Sequence, residues 1–149
     1  MKNNLKDLQK KIKIKFKNIS NLKKAITHKS YDSFNNYEKL EFLGDRILGL
    51  IISKKLLAMY PKEREGSLDK KLASLVNKNR CYEIGKSLKL EKYILVGNSN
   101  INKTKIENKI ISDCVEALIG AVYYEKGFSL TEKFILNIWK HFTMVSNGF

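Results

Sequence analysis

Two stretches of this chain are apolar around most of a helix's circumference and yet carry carboxylates at helical spacing. The first runs from about Tyr37 to Tyr60. Leu40, Phe42, Leu43, Ile47, Leu48, Leu50, Ile51 and Ile52 leave no polar face wide enough for an ordinary surface helix, so this one is expected to be largely buried. Glu38, Glu41 and Asp45 are separated by three and four residues, which places them within about 60° of arc on one face. The second stretch, from about Glu107 to Tyr124, repeats the device: Asp113 and Glu116 project from IISDCVEALIGAVYY. Gly120 lies one turn beyond Glu116, where the missing side chain leaves room for a ligand or another helix.

The remaining pattern is also helical. Leu5, Leu8 and Ile12 form a short amphipathic stripe, and Ser20 can cap a helix carrying Leu22, Ala25 and Ile26. A polar break at Ser33, Asn35 and Asn36 precedes the first long helix, and Pro61 ends it. Ser67 can cap a helix that buries Leu68, Leu72, Leu75 and Val76, and another runs from roughly Cys81 to Leu88. Gly97–Thr104 is expected as a turn-rich loop, Gly127 as the stop of the second long helix, and Leu130, Phe134, Ile138 and Phe142 as the stripe of a final helix. Strand alternation, repeats and linkers are missing. The expectation is an all-α bundle in one domain spanning residues 1–149.

Composition narrows the setting. The longest apolar run, Ile47–Ile52, is far short of the roughly 20 residues of a spanning helix, and the lysine-rich N-terminus does not resemble a secretory signal, so a cytoplasmic protein is expected. Cys81 and Cys114 have no neighbours at metal-ligand spacing; one disulfide is conceivable, but a reduced interior without zinc is preferred. The formal charge of +14 suits a polyanionic partner. The bland alternative is an AT-rich coding bias, since only Arg46, Arg64 and Arg80 among 29 basic residues are arginines.

Against that basic background the acidic residues carry the chemistry. Buried carboxylates repel one another and are costly to desolvate, so they must be paired, protonated or bound to a cation. The basic residues that the sequence places nearby are few: Lys39, Arg46 and Lys109. Four or five carboxylates converging from two helices make an all-oxygen site suited to Mg²⁺, and in a basic protein such a site fits phosphodiester hydrolysis. Structural alternatives stay open. Glu38 is also a third-position residue for a capping box begun by Asn35, Asp113 and Glu116 are also readable as salt-bridged surface residues, and Glu65 also complements a helix N-terminus.

The segment Asn36-Tyr37-Glu38-Lys39-Leu40-Glu41-Phe42-Leu43-Gly44-Asp45-Arg46 resembles the signature of the ribonuclease III family. Asp113-Cys114-Val115-Glu116-Ala117-Leu118-Ile119-Gly120-Ala121-Val122-Tyr123 resembles its second block, Ala25–Tyr31 a short upstream motif, and Tyr60–Gly66 the segment between the blocks. The resemblance runs from about Leu8 to Phe142. It implies an all-α endonuclease domain acting as a homodimer that cuts both strands of double-stranded RNA, as in the processing of ribosomal RNA precursors. The implied products carry 5′-phosphates, 3′-hydroxyls and short 3′ overhangs. By motif position Glu41, Asp45, Asp113 and Glu116 become the metal set, with Asp45 and Glu116 catalytic and Mg²⁺ (or Mn²⁺) the cofactor. Glu38 and Glu65 would lie beside the site or the dimer interface. Phe42 would be an aromatic knob entering a socket on the partner, where the residues alone suggest an ordinary core aromatic.

Three departures from the family pattern stand out. The chain ends near Phe149, where typical members continue into a double-stranded-RNA-binding domain, so it is either a fragment or a protein without that module. Arg46 replaces a small residue and either pairs with Asp45 or points outward, and Ile106-Glu107-Asn108-Lys109 replaces a basic run. His28 is read as local structure rather than a general base. The rival function is a catalytically silent relative that binds structured RNA.

Overall fold

The computed structural model describes residues 2–97 and 106–144. Its elements are α1 (Lys2–Ile12), α2 (Ile19–Ala25), α3 (Glu38–Met59), α4 (Glu65–Val76), α5 (Lys78–Ser87), a 3-10 turn (Leu90–Lys92), α6 (Asn108–Lys126), α7 (Phe128–Ile138) and α8 (Lys140–Met144). The architecture is all-α, as expected. Among the described residues the only β-type contact is an isolated parallel bridge between Thr27 and Leu95. Among the described residues no helix is long and apolar enough to cross a membrane.

The second apolar stretch becomes the axis of the bundle. Every residue of α6 from Ile110 to Val122 is buried, including both acids, and α2, α3, α5 and α7 pack around it. A helix buried on all sides has no use for a polar stripe, which is why its sequence is apolar almost throughout. The first apolar stretch, α3, crosses α6 at a contact between two glycines. A Cβ on Gly44 would overlap the Glu116 carbonyl, and one on Gly120 would overlap the Leu40 carbonyl. The room at Gly120 is therefore taken by a helix backbone, not a ligand.

Smaller ties close the bundle. The Trp139 indole donates to the Leu75 carbonyl at 2.8 Å, and Glu125 near the end of α6 accepts from the Lys17 and Asn18 backbone at 2.7 and 3.1 Å. Gly127 ends α6 with φ 82°, a value that disfavours any side chain.

Several caps differ from expectation. Asn18, not Ser20, caps α2, accepting from the Ser20 backbone at 3.1 Å. Helix α4 starts at Glu65, so Ser67 lies inside it and its hydroxyl donates to Glu63. Asn77 accepts from the Arg80 backbone at 2.8 Å and starts α5 at Lys78, three residues before Cys81. Glu38 forms no capping box with Asn35; its backbone N–H goes to Asn36 at 3.1 Å. The final helix is two, because the buried Trp139 turns inward between α7 and α8. Apart from Gly97, the expected loop at 97–104 lies outside the described residues.

Candidate metal centre

Because α3 and α6 touch backbone to backbone, the acids on their facing sides converge. One oxygen from each of Glu41, Asp113 and Glu116 lies within 4.8 Å of the others. Burial falls away across the group: the Glu116 and Asp113 side chains are 1% and 2% exposed, Glu41 28% and Asp45 51%. The cluster thus has a dry floor on α6 and an open side on α3. Asp45 stands beside the three rather than among them, in hydrogen-bond contact with Glu116.

The cation among these carboxylates comes from an element the sequence did not connect to them. Lys78, the first residue of α5, places its Nζ 3.2 Å from Glu41 and 2.9 Å from Asp113, and also pairs with Glu116. Its backbone is held to α6, where the Ser112 hydroxyl donates to the Lys78 carbonyl at 3.0 Å. Lys109 pairs with Asp113 at 2.8 Å and Tyr37 donates to the same carboxylate at 3.2 Å. Lys39, which the sequence placed nearby, is exposed on the rim. Sequence spacing cannot reveal Lys78, one of 26 lysines and 35 residues from Asp113.

These contacts set the proton affinities. Burial lifts the Glu116 carboxyl, and the hydrogen bond with Asp45 lifts it further, to about 8. Burial also pushes Asp113 upward, but hydrogen bonds from Lys109 and Lys78 outweigh it and hold that carboxyl below the ordinary carboxylate range. Lys78 is pulled down by burial and raised more strongly by Glu116 and Asp113, so it stays cationic. Burial, then the Asp113 charge, keep the Tyr37 hydroxyl protonated as a donor. Burial and the charge of Glu116 push the Cys81 thiol to about 12, so it is no nucleophile.

The other singled-out residues surround the cluster. Phe42 is 60% exposed, which removes the ordinary-core reading, and the Arg46 guanidinium lies 4.1 Å from its ring centre while pairing with Asp45 at 3.2 Å. Both alternatives for Arg46 therefore hold at once. Glu38 lies on the exposed rim of a pocket with Lys24, Phe34, Lys39 and Tyr124. Glu65 opens α4 at the edge of an apolar groove of about 460 Å³ lined by Leu50, Leu57, Leu68 and Leu72. Neither belongs to the carboxylate cluster. His28 is local structure: its Nδ1 lies 2.7 Å from the Ser30 hydroxyl and its ring edge meets Tyr37.

The donor set fits a hard divalent ion. It is all oxygen, it converges from two rigid helices, and a lysine ammonium already satisfies it as a monovalent stand-in.

The all-helical bundle is the fold of solved nuclease domains. The nuclease domain of ribonuclease III from Campylobacter jejuni, which shows structural flexibility in its region involved in dimer formation, is similar with a TM-score of 0.87 at 36% identity, over 90% of this chain and 94% of that one. Dicer from Pichia stipitis shares the fold, with a TM-score of 0.70 at 22% identity, over 90% of this chain and 59% of that one. Residues 18–142 match the family model described as Ribonuclease-III-like. Ribonuclease 3 from Pelagibacter ubique is 60% identical over 144 residues, 96% of this chain and 65% of the relative. Ribonuclease 3 from Clostridium tetani is 42% identical over 137 residues, 89% and 58% respectively. The chain belongs to the ribonuclease-III-like family, and it spans about three-fifths of the length of these curated relatives.

Proposed function

We propose that this chain is the catalytic part of an endoribonuclease that hydrolyses double-stranded RNA with Mg²⁺, Mn²⁺ substituting. The observation that carries the reading is the convergence of Glu41, Asp113 and Glu116 within 4.8 Å on the face of a protein with net charge +14. Glu41, Asp45, Asp113 and Glu116 would hold the ion. Bound there, it would supply charge to polarise the phosphate and make an attacking water acidic.

The protein's own groups do the rest. Asp113 and Glu116, fixed in the dry floor, set the depth of the site and must both be ionised to hold a cation, so the Glu116 carboxyl gives up its proton first. Asp45 is half exposed at the mouth, where its carboxylate accepts a proton from the attacking water. In this reading water attacks phosphorus and the P–O3′ bond breaks, which leaves a 5′-phosphate and a 3′-hydroxyl. Substrate selection follows from A-form geometry. The deep major groove hides base edges, so duplex RNA is held by phosphates and 2′-hydroxyls, and lysines serve that purpose without base preference.

The same reading includes a homodimer, whose two sites cut opposite strands and leave short 3′ overhangs. It is supported by the exposed Phe42 on α3, suited to be a knob, and by the apolar groove that Leu50 and Leu57 of the same helix line, suited to be a socket. Structured precursors such as ribosomal RNA in the cytoplasm are the substrates proposed.

The test is incubation with a long RNA duplex at low salt, with and without Mg²⁺, beside Glu116→Gln, with product ends mapped by sequencing. Mg²⁺-dependent cuts with the stated ends, lost in the variant, are the expected result. A duplex that is bound but stays intact would transfer the protein to the silent RNA-binding class.

A further inference from the structure

Lys78 does something that no role in helix stability explains. A cation at the first position of a helix opposes the macrodipole, yet α5 begins with one. All three N–H donors of its ammonium are engaged, one on each of Glu41, Asp113 and Glu116. Those are the same three residues whose oxygens form the candidate ion site. The backbone at Lys78 is fixed by the Asn77 cap and by Ser112, but its side chain is 55% exposed. The ammonium can therefore leave by side-chain rotation, with the helices unmoved.

Resting on the metal-centre reading above, we propose that Lys78 is an exchangeable counter-ion. It fills the divalent ion's seat in the ion-free protein and must vacate it before the ion binds. Two consequences follow from charge alone. Without Lys78 the buried acids of α6 lose their main compensating charge and the ion-free protein is destabilised, because an unpaired buried carboxylate is costly. Without Lys78 the ion also loses its ammonium competitor, so at a pH where Glu116 is ionised it binds more tightly. A residue that merely supports the site would shift ion affinity in the opposite direction. Lys109, 77% exposed and paired with Asp113 alone, cannot act the same way.

The experiment is a calorimetric titration of Mn²⁺ into the wild-type chain, Lys78→Met, Lys78→Arg and Lys109→Met at one alkaline pH, with thermal melts of each protein without and with Mn²⁺. Lys78→Met is expected to melt lower than wild type without the ion and to bind Mn²⁺ about three- to tenfold more tightly, the coupling usual for groups in one ion-pair network. Lys78→Arg, which keeps the charge, should bind no more tightly than wild type, and Lys109→Met should change the constant less than Lys78→Met. If Lys78→Met needs the ion to fold, Lys78→Gln makes the same comparison with the charge removed and a hydrogen-bonding group kept. Equal or weaker Mn²⁺ binding by a folded, uncharged variant overturns the counter-ion role and leaves the metal centre standing. Absence of Mn²⁺ binding in every protein, wild type included, overturns both.

Discussion

Helices α3 and α6 are similarly apolar, and the bundle uses that apolarity in opposite ways. From Ile110 to Val122, α6 is buried on all sides, so each of its apolar residues there is core and its two acids form the floor of the site. Helix α3 buries Ile47, Leu48, Ile51, Ile52 and Leu56 but leaves Phe42, Leu50 and Leu57 in solvent. Its acids stand at the open edge. The same residue types therefore report packing on one helix and an available surface on the other, and composition alone does not separate the two.

Substitutions sharpen that contrast. The largest effect is expected at Leu118 on α6, 1% exposed. Leu118→Ala should cost about 3 kcal/mol in urea unfolding through transfer and cavity terms. Leu57→Ala on α3, 62% exposed, should stay within about 0.5 kcal/mol while weakening self-association measured by sedimentation. Equal costs at the two positions would end the distinction.

The glycines give the second comparison. Gly44→Ala drives a methyl into the Glu116 backbone and should cost about 2 kcal/mol, with loss of ion binding as α3 and α6 separate. Gly49→Ala on the same helix meets nothing within 4 Å and should be neutral or stabilising by about 0.5 kcal/mol, since alanine favours helix more than glycine does.

Acidity supplies a third. The Glu116 carboxyl, lifted from an ordinary 4.5 to about 8, makes the folded ion-free protein bind more protons than the unfolded chain between those values. Ion-free stability should therefore fall as pH rises through that window. Divalent-ion affinity should rise with pH, by up to about tenfold per unit, and level off above about 8 as the competing proton leaves. Parallel melts and titrations across that range check both slopes, and a flat affinity profile would remove Glu116 from the site. Tyr37→Phe removes one hydrogen bond to Asp113 and should cost about 1 kcal/mol in the same urea unfolding measurement.

The sequence made the two central helices legible because their carboxylates interrupt an apolar run at helical spacing, a local pattern. What it hid was long-range or ambiguous between neighbours. Asn18 and Ser20 both suit a cap, and only the three-dimensional turn selects Asn18. Ser67 suits one too, but α4 has already begun by then. The last apolar stripe continues evenly through Trp139, and the break arises because its indole finds the Leu75 carbonyl on another helix. Phe42 carries the signature of a core residue and is exposed, since only the packing of α3 decides which of its faces is covered. Lys78 was the largest omission: its pairing depends on where α5 meets α6, and no periodicity encodes that meeting.

The crossing at Gly44 and Gly120 bears on how such a chain can change over time. Backbone rests on backbone there, so the gap between Glu41 and Glu116 is set by atoms that every amino acid shares. Isoleucines, leucines and valines elsewhere in the core can be exchanged for one another, with stability rising or falling, and the gauge of the acidic mouth is unaltered. A lineage under strong compositional drift can rewrite most of its interior and keep a working aperture, provided two positions never acquire a side chain.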